Sequence, residues 1–491
     1  MMSYKYRFSF MVFLFCTFKF YAQNEIQIPL NTSEIKPKDT YTIKVNDSTS
    51  MHVSVGSNKS DHKLKFTPRL LHDKSLVELK WFDLEPDSEV LGNHINGNDW
   101  VILYSHLNNN KKEYYLTQYN LISQTLSKEV PITFDTNAKL FPMDHFTATI
   151  NLDIEKSKLE IDIYENIDRV KEKTFTLATE LQDALTYESE ITDMFMDYIP
   201  SDRYTDVGSL NKSHFYWIDD TYYFTIDVKS KQTTYLIKAN VKDENAPLEY
   251  GKFTNTQENN KQMRSFLLDG KLFQFSVSNK LARITIFDIE TEKVEKEIDY
   301  TKEVFGPYHS YYEKSYATEA NPSKFLNSFN RFKITSSYIP NIFISVNKGV
   351  EETYIIKAGH VNEITYHYND FWWMQRHMMM MQPNIPTSLP RGFGPNQKNI
   401  PELYIEDTEE SIIHKTYFML VVDKNFIKTD YLKSSIYNNY DVESVQKKIN
   451  DLKFSKFVST VQIGPNMWYT YYNKDTKNIM IGKIRIGLLS H

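Results

Sequence analysis

The feature that most constrains the fold of this chain is a phrase repeated along it. An apolar strand runs into a polar turn, a second alternating strand follows, and a short polar link leads to another. The phrase first occurs at Asp99–Ile132, as DWVILYSH, LNNNKK, EYYLTQYNL and ISQTLSKEVPI. It returns at Phe146–Leu177, Ser213–Val241 and Arg264–Tyr300, then more loosely at Asn341–Val361, Lys415–Leu432 and Met467–Ile486. Alternation with period 2, bounded by Asn, Asp, Lys or Ser, is the pattern of a strand in a sheet with one buried face. Starts near Trp100, His145, Ser213, Met263, Asn341, Ile412 and Met467 give about seven units, spaced roughly 45 to 80 residues apart. Abundant Tyr (34) and Phe (31) fit the same strand-rich reading.

Small twisted sheets repeated at such spacing cannot each bury two faces alone, whereas a closed ring packs every sheet against two neighbours. On these repeats, from about Lys80 to the C-terminus, the chain resembles the β-propellers. The implied fold class is all-β, a β-propeller-like ring of about seven small antiparallel sheets. The WD dipeptide, the kelch double glycine and the calcium-binding Asp/Gly loop are absent, and 14 glycines are few for so many tight turns. No specific propeller family is therefore implied. The alternative is two β-sandwich domains with a boundary in 301–340.

The expected organisation is a signal peptide over 1–22, an N-terminal irregular β segment over 23–79, and the propeller-like domain over 80–491 with an inserted loop at 370–399. The irregular segment reads as a leading strand that closes the ring, or as a small cap. Helices are expected at Asp441–Leu452, where Asp441 is an N-cap and Val442, Val445, Ile449 and Leu452 share a face, and more weakly at Leu181–Tyr198.

Lys5 and Arg7 precede an apolar run from Phe8 to Phe18, the layout of a secretory leader cut near Ala22 or Gln23. That run is too short to span a bilayer, which takes about 20 apolar residues. No later run is long enough either. Export outside the cytoplasm (secreted, periplasmic or cell surface) is the expectation. Phe15 stands where a lipoprotein signal wants a small residue, so lipidation at Cys16 is disfavoured. Cys16 is the only cysteine, and cleavage leaves a chain without disulfides, thiolate zinc sites or a cysteine nucleophile. A net charge of -6 without a basic stripe argues against nucleic acid as a partner.

The sequence holds no HExxH, GxSxG, Walker A, GxGxxG or EF-hand pattern, which disfavours the enzyme classes built on them. The loop 370–399 stands out instead. Its Trp372, Trp373, Arg376 and His377 are the candidate ligand- or partner-binding residues, and the flat tryptophans suit stacking on a sugar ring. Met378–Met381, with His360, His367 and His377 near in sequence, offer soft donors of the kind that hold Cu(I). Consecutive strand residues cannot all face one ion, and methionines commonly fill gaps or cover adaptable surfaces, so no metal or cofactor is assigned. Asp219 and Asp220, and the cluster Glu402, Glu406, Asp407, Glu409 and Glu410, could serve glycoside hydrolysis or calcium. Adjacent acids at turns are more often simply solvated. The expected function is a non-catalytic exported binding protein for a protein partner or glycan. The alternatives are a carbohydrate-active enzyme with carboxylates drawn from different blades, and a copper-handling protein.

Overall fold

The computed structural model describes residues 25–485 apart from 73–74, 109–110, 134–137, 144, 187–195, 200–211, 244–245, 258–259, 279–280, 300–309, 315–340, 350–351, 367–409, 430–453 and 464–465. A first strand, β1 (Ile26–Pro29), precedes seven consecutive sheets. Blade 1 holds β2 (Ile35–Lys44), β3 (Thr49–Asn58), β4 (Leu64–His72), β5 (Ser75–Glu78) and β6 (Phe82–Leu84). Blade 2 holds β7 (Glu89–Asn96), β8 (Asp99–Asn108), β9 (Lys111–Asn120), β10 (Thr125–Leu126) and β11 (Val130–Ile132). Blade 3 is β12 (Lys139–Pro142), β13 (Thr147–Asp153), β14 (Lys158–Asn166) and β15 (Arg169–Thr176). After the helix α1 (Thr179–Thr186), blade 4 is β16 (Met196–Tyr198), β17 (Ser213–Ile218), β18 (Thr221–Val228), β19 (Thr233–Asn240) and β20 (Glu249–Thr254). Blade 5 is β21 (Gln262–Leu268), β22 (Lys271–Val277), β23 (Ala282–Asp288) and β24 (Val294–Asp299). Blade 6 orders β25 (Ser310–Lys314), β26 (Ile342–Lys348), β27 (Tyr354–Tyr366) and β28 (Glu410–Val422) as β26-β27-β28-β25. Blade 7 is β29 (Ser455–Ile463), β30 (Asn466–Asn473) and β31 (Asn478–Arg485), completed by β1.

The two ends of the chain meet in that last sheet, with Ile26 opposite Ile481 and Pro29 opposite Asn478. Leading strands of successive blades touch, β2 against β29 and β7, β7 against β12, and β21 against β26. Seven sheets in chain order, closed by pairing the first strand with the last, form a seven-bladed β-propeller. Two separate sandwiches do not describe this arrangement, because among the described residues the sheets pack in an unbroken series from blade 7 through blade 1 to blade 6.

The units differ from the sequence reading in two places. The phrases beginning near Asn341 and Ile412 belong to one blade, since β27 and β28 pair from Tyr354↔Val422 to Tyr366↔Glu410. The long segment 367–409 between them made one hairpin read as two units. The missing seventh sheet is supplied by residues 35–84, which lie mostly in the segment 23–79 read as irregular and run past its end through β6. In the second helix candidate, α1 covers Thr179–Thr186, but Met196–Tyr198 is a strand parallel to β17. Tyr198 stacks on Phe215 at 5.0 Å there, a contact that fixes the extended conformation. The candidate helix 441–452 lies outside the described residues.

Alternation with one buried face also needs correction. β21 is buried at every position and β22 at all but one, because a blade is covered on both sides. Several side-chain and backbone groups of these strands bond across to the neighbouring blade. Gln274 donates to Thr234 Oγ1 at 2.9 Å and to the Phe253 carbonyl at 3.1 Å. The Ser265 N–H donates to Asp227 Oδ2 at 2.9 Å, and the Leu267 N–H to the Tyr216 hydroxyl at 3.1 Å. Such bonds matter because a buried polar group without a partner costs about 1–3 kcal/mol. Apolar clusters bridge blade 7 to 1, 1 to 2, and on through blade 6 among the described residues. At the closing seam His52, fully buried, lies 2.7 Å from both Ser50 Oγ and Thr470 Oγ1, and Thr470 Oγ1 is 2.7 Å from Thr42 Oγ1.

Candidate functional site

In a four-stranded antiparallel blade, the turn from first to second strand and the turn from third to fourth lie at the same end. A pocket of about 320 Å³ is lined by residues from such turns of blades 2, 3 and 4. Blade 2 supplies Asn96 at the end of β7. Blade 3 supplies His145 and Phe146 before β13, and Glu165 and Lys171 around the β14–β15 turn. Blade 4 supplies Trp217 and Asp220 at the β17–β18 turn, and Val241 and Lys242 after β19. The volume falls at the small end of ligand pockets, roughly 300–1,000 Å³.

Glu165 occupies a β-bulge. The ladder passes from Tyr164↔Val170 to Asn166↔Arg169 and skips it. A bulge frees the backbone and re-aims the side chain. The freed Glu165 carbonyl accepts from His94 Nε2 at 3.0 Å and from Asn96 Nδ2 at 3.1 Å. A carbonyl can only accept, so the His94 proton sits on Nε2, leaving Nδ1 to accept from the Thr147 hydroxyl at 3.0 Å. Burial, above all, pushes the His94 imidazole down to about 4, with its bond to the Glu165 carbonyl opposing the shift. The neutral ring thereby ties blade 2 to the bulge that presents Glu165.

The carboxylate of Glu165 pairs with Lys171, and that of Asp220 with Lys242. Two carboxylates and two ammonium groups leave these four lining residues with no net charge. Asp219 and Asp220 make the two-residue β17–β18 turn with φ of 47° and 62°, both left-handed. That geometry suits the right-handed twist of a hairpin, and Asp tolerates it better than most residues. Trp217 is half-buried, its ring edge-on to Phe146 at 5.0 Å and tilted on Tyr222 at 4.6 Å. Behind it, Lys173 of β15 donates to the carbonyls of Asn240 and Asp243, fastening blade 3 to the loop that carries Lys242.

Of the residues singled out in the sequence, Asp220 lines the pocket and Asp219 stays exposed at the same turn. Trp372, Trp373, Arg376, His377 and Met378–Met381 lie outside the described residues, as do His367, Glu402, Glu406, Asp407 and Glu409. Glu410 opens β28, opposite Tyr366. His360 is buried in β27, and burial pushes it down to about 4. Among the described residues no group of three or more His, Cys, Asp or Glu is placed to hold a metal ion. No helix among them is long and apolar enough to cross a membrane. Sequence reasoning missed Glu165, Lys171, Trp217 and Lys242, which lie up to 77 residues apart (242 − 165). Their common signal is placement beside a strand turn, which acquires meaning only when the blades are set side by side.

No family profile and no curated protein matches this chain. Among solved structures it is similar to the β-propeller domain of the trilobed protease from Pyrococcus furiosus, with 7% identity and a TM-score of 0.33, covering 93% of this chain and 97% of that one. A structure from a study of two prolyl endopeptidases has 7% identity and a TM-score of 0.36; 93% of this chain is covered, and about half, 51%, of that one. Kluyveromyces lactis Hsv2 has 7% identity and a TM-score of 0.29, covering 91% of this chain and 99% of that one. The assignment to the propeller fold rests on the seven sheets and their closure.

Proposed function

We propose that this chain is an exported, non-catalytic binding protein that recognises a small polar ligand in the pocket shared by blades 2, 3 and 4. The observation that carries this reading is that turns of three blades, all at one end of the ring, converge on one pocket with an aromatic wall and paired charges. Loops held by a rigid scaffold are where binding residues concentrate. Export is supported by the leader-like run Phe8–Phe18 after Lys5 and Arg7.

One observation favours a second reading. Glu165 and Asp220 reach the same pocket from different blades, the dispersal expected of a carbohydrate-active enzyme. Each carboxylate is engaged by a lysine, so neither stands as a free proton donor to a leaving group. Binding is therefore the preferred function.

A thermal-shift screen of sugars, amino acids and small polar metabolites tests it, run on the protein and its Asp220→Ala variant. A ligand at a hundred times its Kd adds about 2.7 kcal/mol of stability. The expected result is a ligand that raises the melting temperature of the parent and not of the variant. Turnover of a glycan that Glu165→Gln abolishes would establish the enzyme instead.

A further inference from the structure

We infer that the pocket takes an uncharged sugar residue, laid against Trp217 with its hydroxyls bridging the Glu165–Lys171 and Asp220–Lys242 pairs. This rests on the pocket being a ligand site at all, as proposed above.

Charge is the first discriminator. The two carboxylates and two ammonium groups of the lining are already matched, one to one. An anion would meet Glu165 and Asp220 as surely as the lysines, and a cation the reverse. A zwitterion such as an amino acid balances overall, yet each of its ends has to take a partner from an existing pair. A hydroxyl group needs no such exchange. It donates to a carboxylate oxygen and accepts from an ammonium hydrogen while the pair stays intact. Each Lys–carboxylate pair thus presents a donor beside an acceptor, the complement of neighbouring hydroxyls on one ring.

Shape is the second. Trp217 packs edge-on to Phe146 and at a tilt to Tyr222, so the indole orientation is set before a ligand arrives. A preset aromatic surface loses little freedom on binding. The electron-rich face of an indole attracts the partly positive C–H bonds that line one face of a pyranose. The volume of about 320 Å³ suits a ligand of one or two rings and not a long peptide. The bulge at Glu165, clamped by His94 and Asn96, supplies the fixed polar wall that faces such a ring.

Isothermal titration with glucose, galactose, mannose, N-acetylglucosamine, galacturonic acid, glycine and diglycine tests the assignment. The expected result is binding of at least one neutral sugar, with Kd changing by less than about twofold between low and high salt, since no net charge is neutralised. Trp217→Ala and Asp220→Asn should each weaken it by about tenfold or more. Asp220 is at an exposed turn, so its amide variant keeps the test informative even where Trp217→Ala fails to fold. Sugar binding indifferent to both variants would remove the site from this pocket. Salt-dependent binding of galacturonic acid or an amino acid, lost with Asp220→Asn, would keep the pocket and overturn the uncharged-sugar assignment. No titrant binding, together with no hit in the thermal-shift screen, would overturn both.

Discussion

His94 does its work as an uncharged ring, giving one bond to the Glu165 carbonyl and taking one from Thr147. Its folded pKa of about 4 lies below the ordinary histidine value of 6.5. Below pH 6.5 the unfolded chain gains a proton that the folded chain refuses. The stability it contributes is complete above 6.5 and is lost as pH falls toward 4, by about 1.4 kcal/mol per pH unit. Burial lowers His52 and His214 to about 3 and His360 to about 4, all in the same direction. Asp227, raised by burial to about 6, acts oppositely between about 6 and 3.8. The net expectation is a lower urea midpoint at pH 5 than at pH 7, with a shallower slope in His94→Gln. A midpoint independent of pH would refute it. Gly482 makes a second prediction. A Cβ there would run into the Tyr469 ring, whose hydroxyl donates to Glu25 at 2.7 Å, a bond that moving the ring aside would strain or break. Gly482→Ala should cost about 1–3 kcal/mol in chemical denaturation. Neither residue was legible beforehand, because a lone histidine or glycine in a strand carries no sign of the neighbour it will meet.

Turns were the most legible elements, and the β17–β18 hairpin shows how far that goes. WIDDTYY reads as a turn from composition, and Asp219 and Asp220 do form one. The role of Asp220 depends on Lys242, which a separate strand brings back beside it. Fold and recognition should therefore separate at this turn. Asp219→Asn with Asp220→Gly supplies the residues that left-handed φ values favour, and should leave the melting temperature unchanged or raise stability by up to about 1 kcal/mol. The same double variant removes the partner of Lys242, so ligand binding should weaken by about tenfold. A parallel loss of stability and binding would mean that the turn matters only for folding. Blade 6 marks the opposite limit, where a long segment inside one hairpin concealed the pairing of β27 with β28.

The all-β class and the repeated small sheets were readable because two-sided packing imposes one pattern on every blade; the count of seven agreed only because one blade read as two units offset one blade that was missed. Which segments make each blade was less so. Residues 35–84 alternate weakly in hydropathy because Thr40, Thr42 and His52 serve the polar seam with blade 7. Closure depends on pairing residues more than 400 positions apart, as Gln27 pairs with Met480, and no local pattern announces that. Deleting residues 25–29 should leave β31 as an unpaired edge and remove the Glu25 contacts to Tyr469 and Tyr471. A lower melting temperature in the truncated protein is the expected outcome. The most direct test of the closed ring uses the absence of any cysteine other than Cys16. In a Cys16→Ser background, Gln27→Cys with Met480→Cys places two thiols on directly opposed residues of β1 and β31, within the reach of a disulfide. Under mild oxidation the account predicts an intramolecular cross-link, seen as a mobility shift on a non-reducing gel and as a higher melting temperature. A folded protein whose two thiols stay free under those conditions would contradict it.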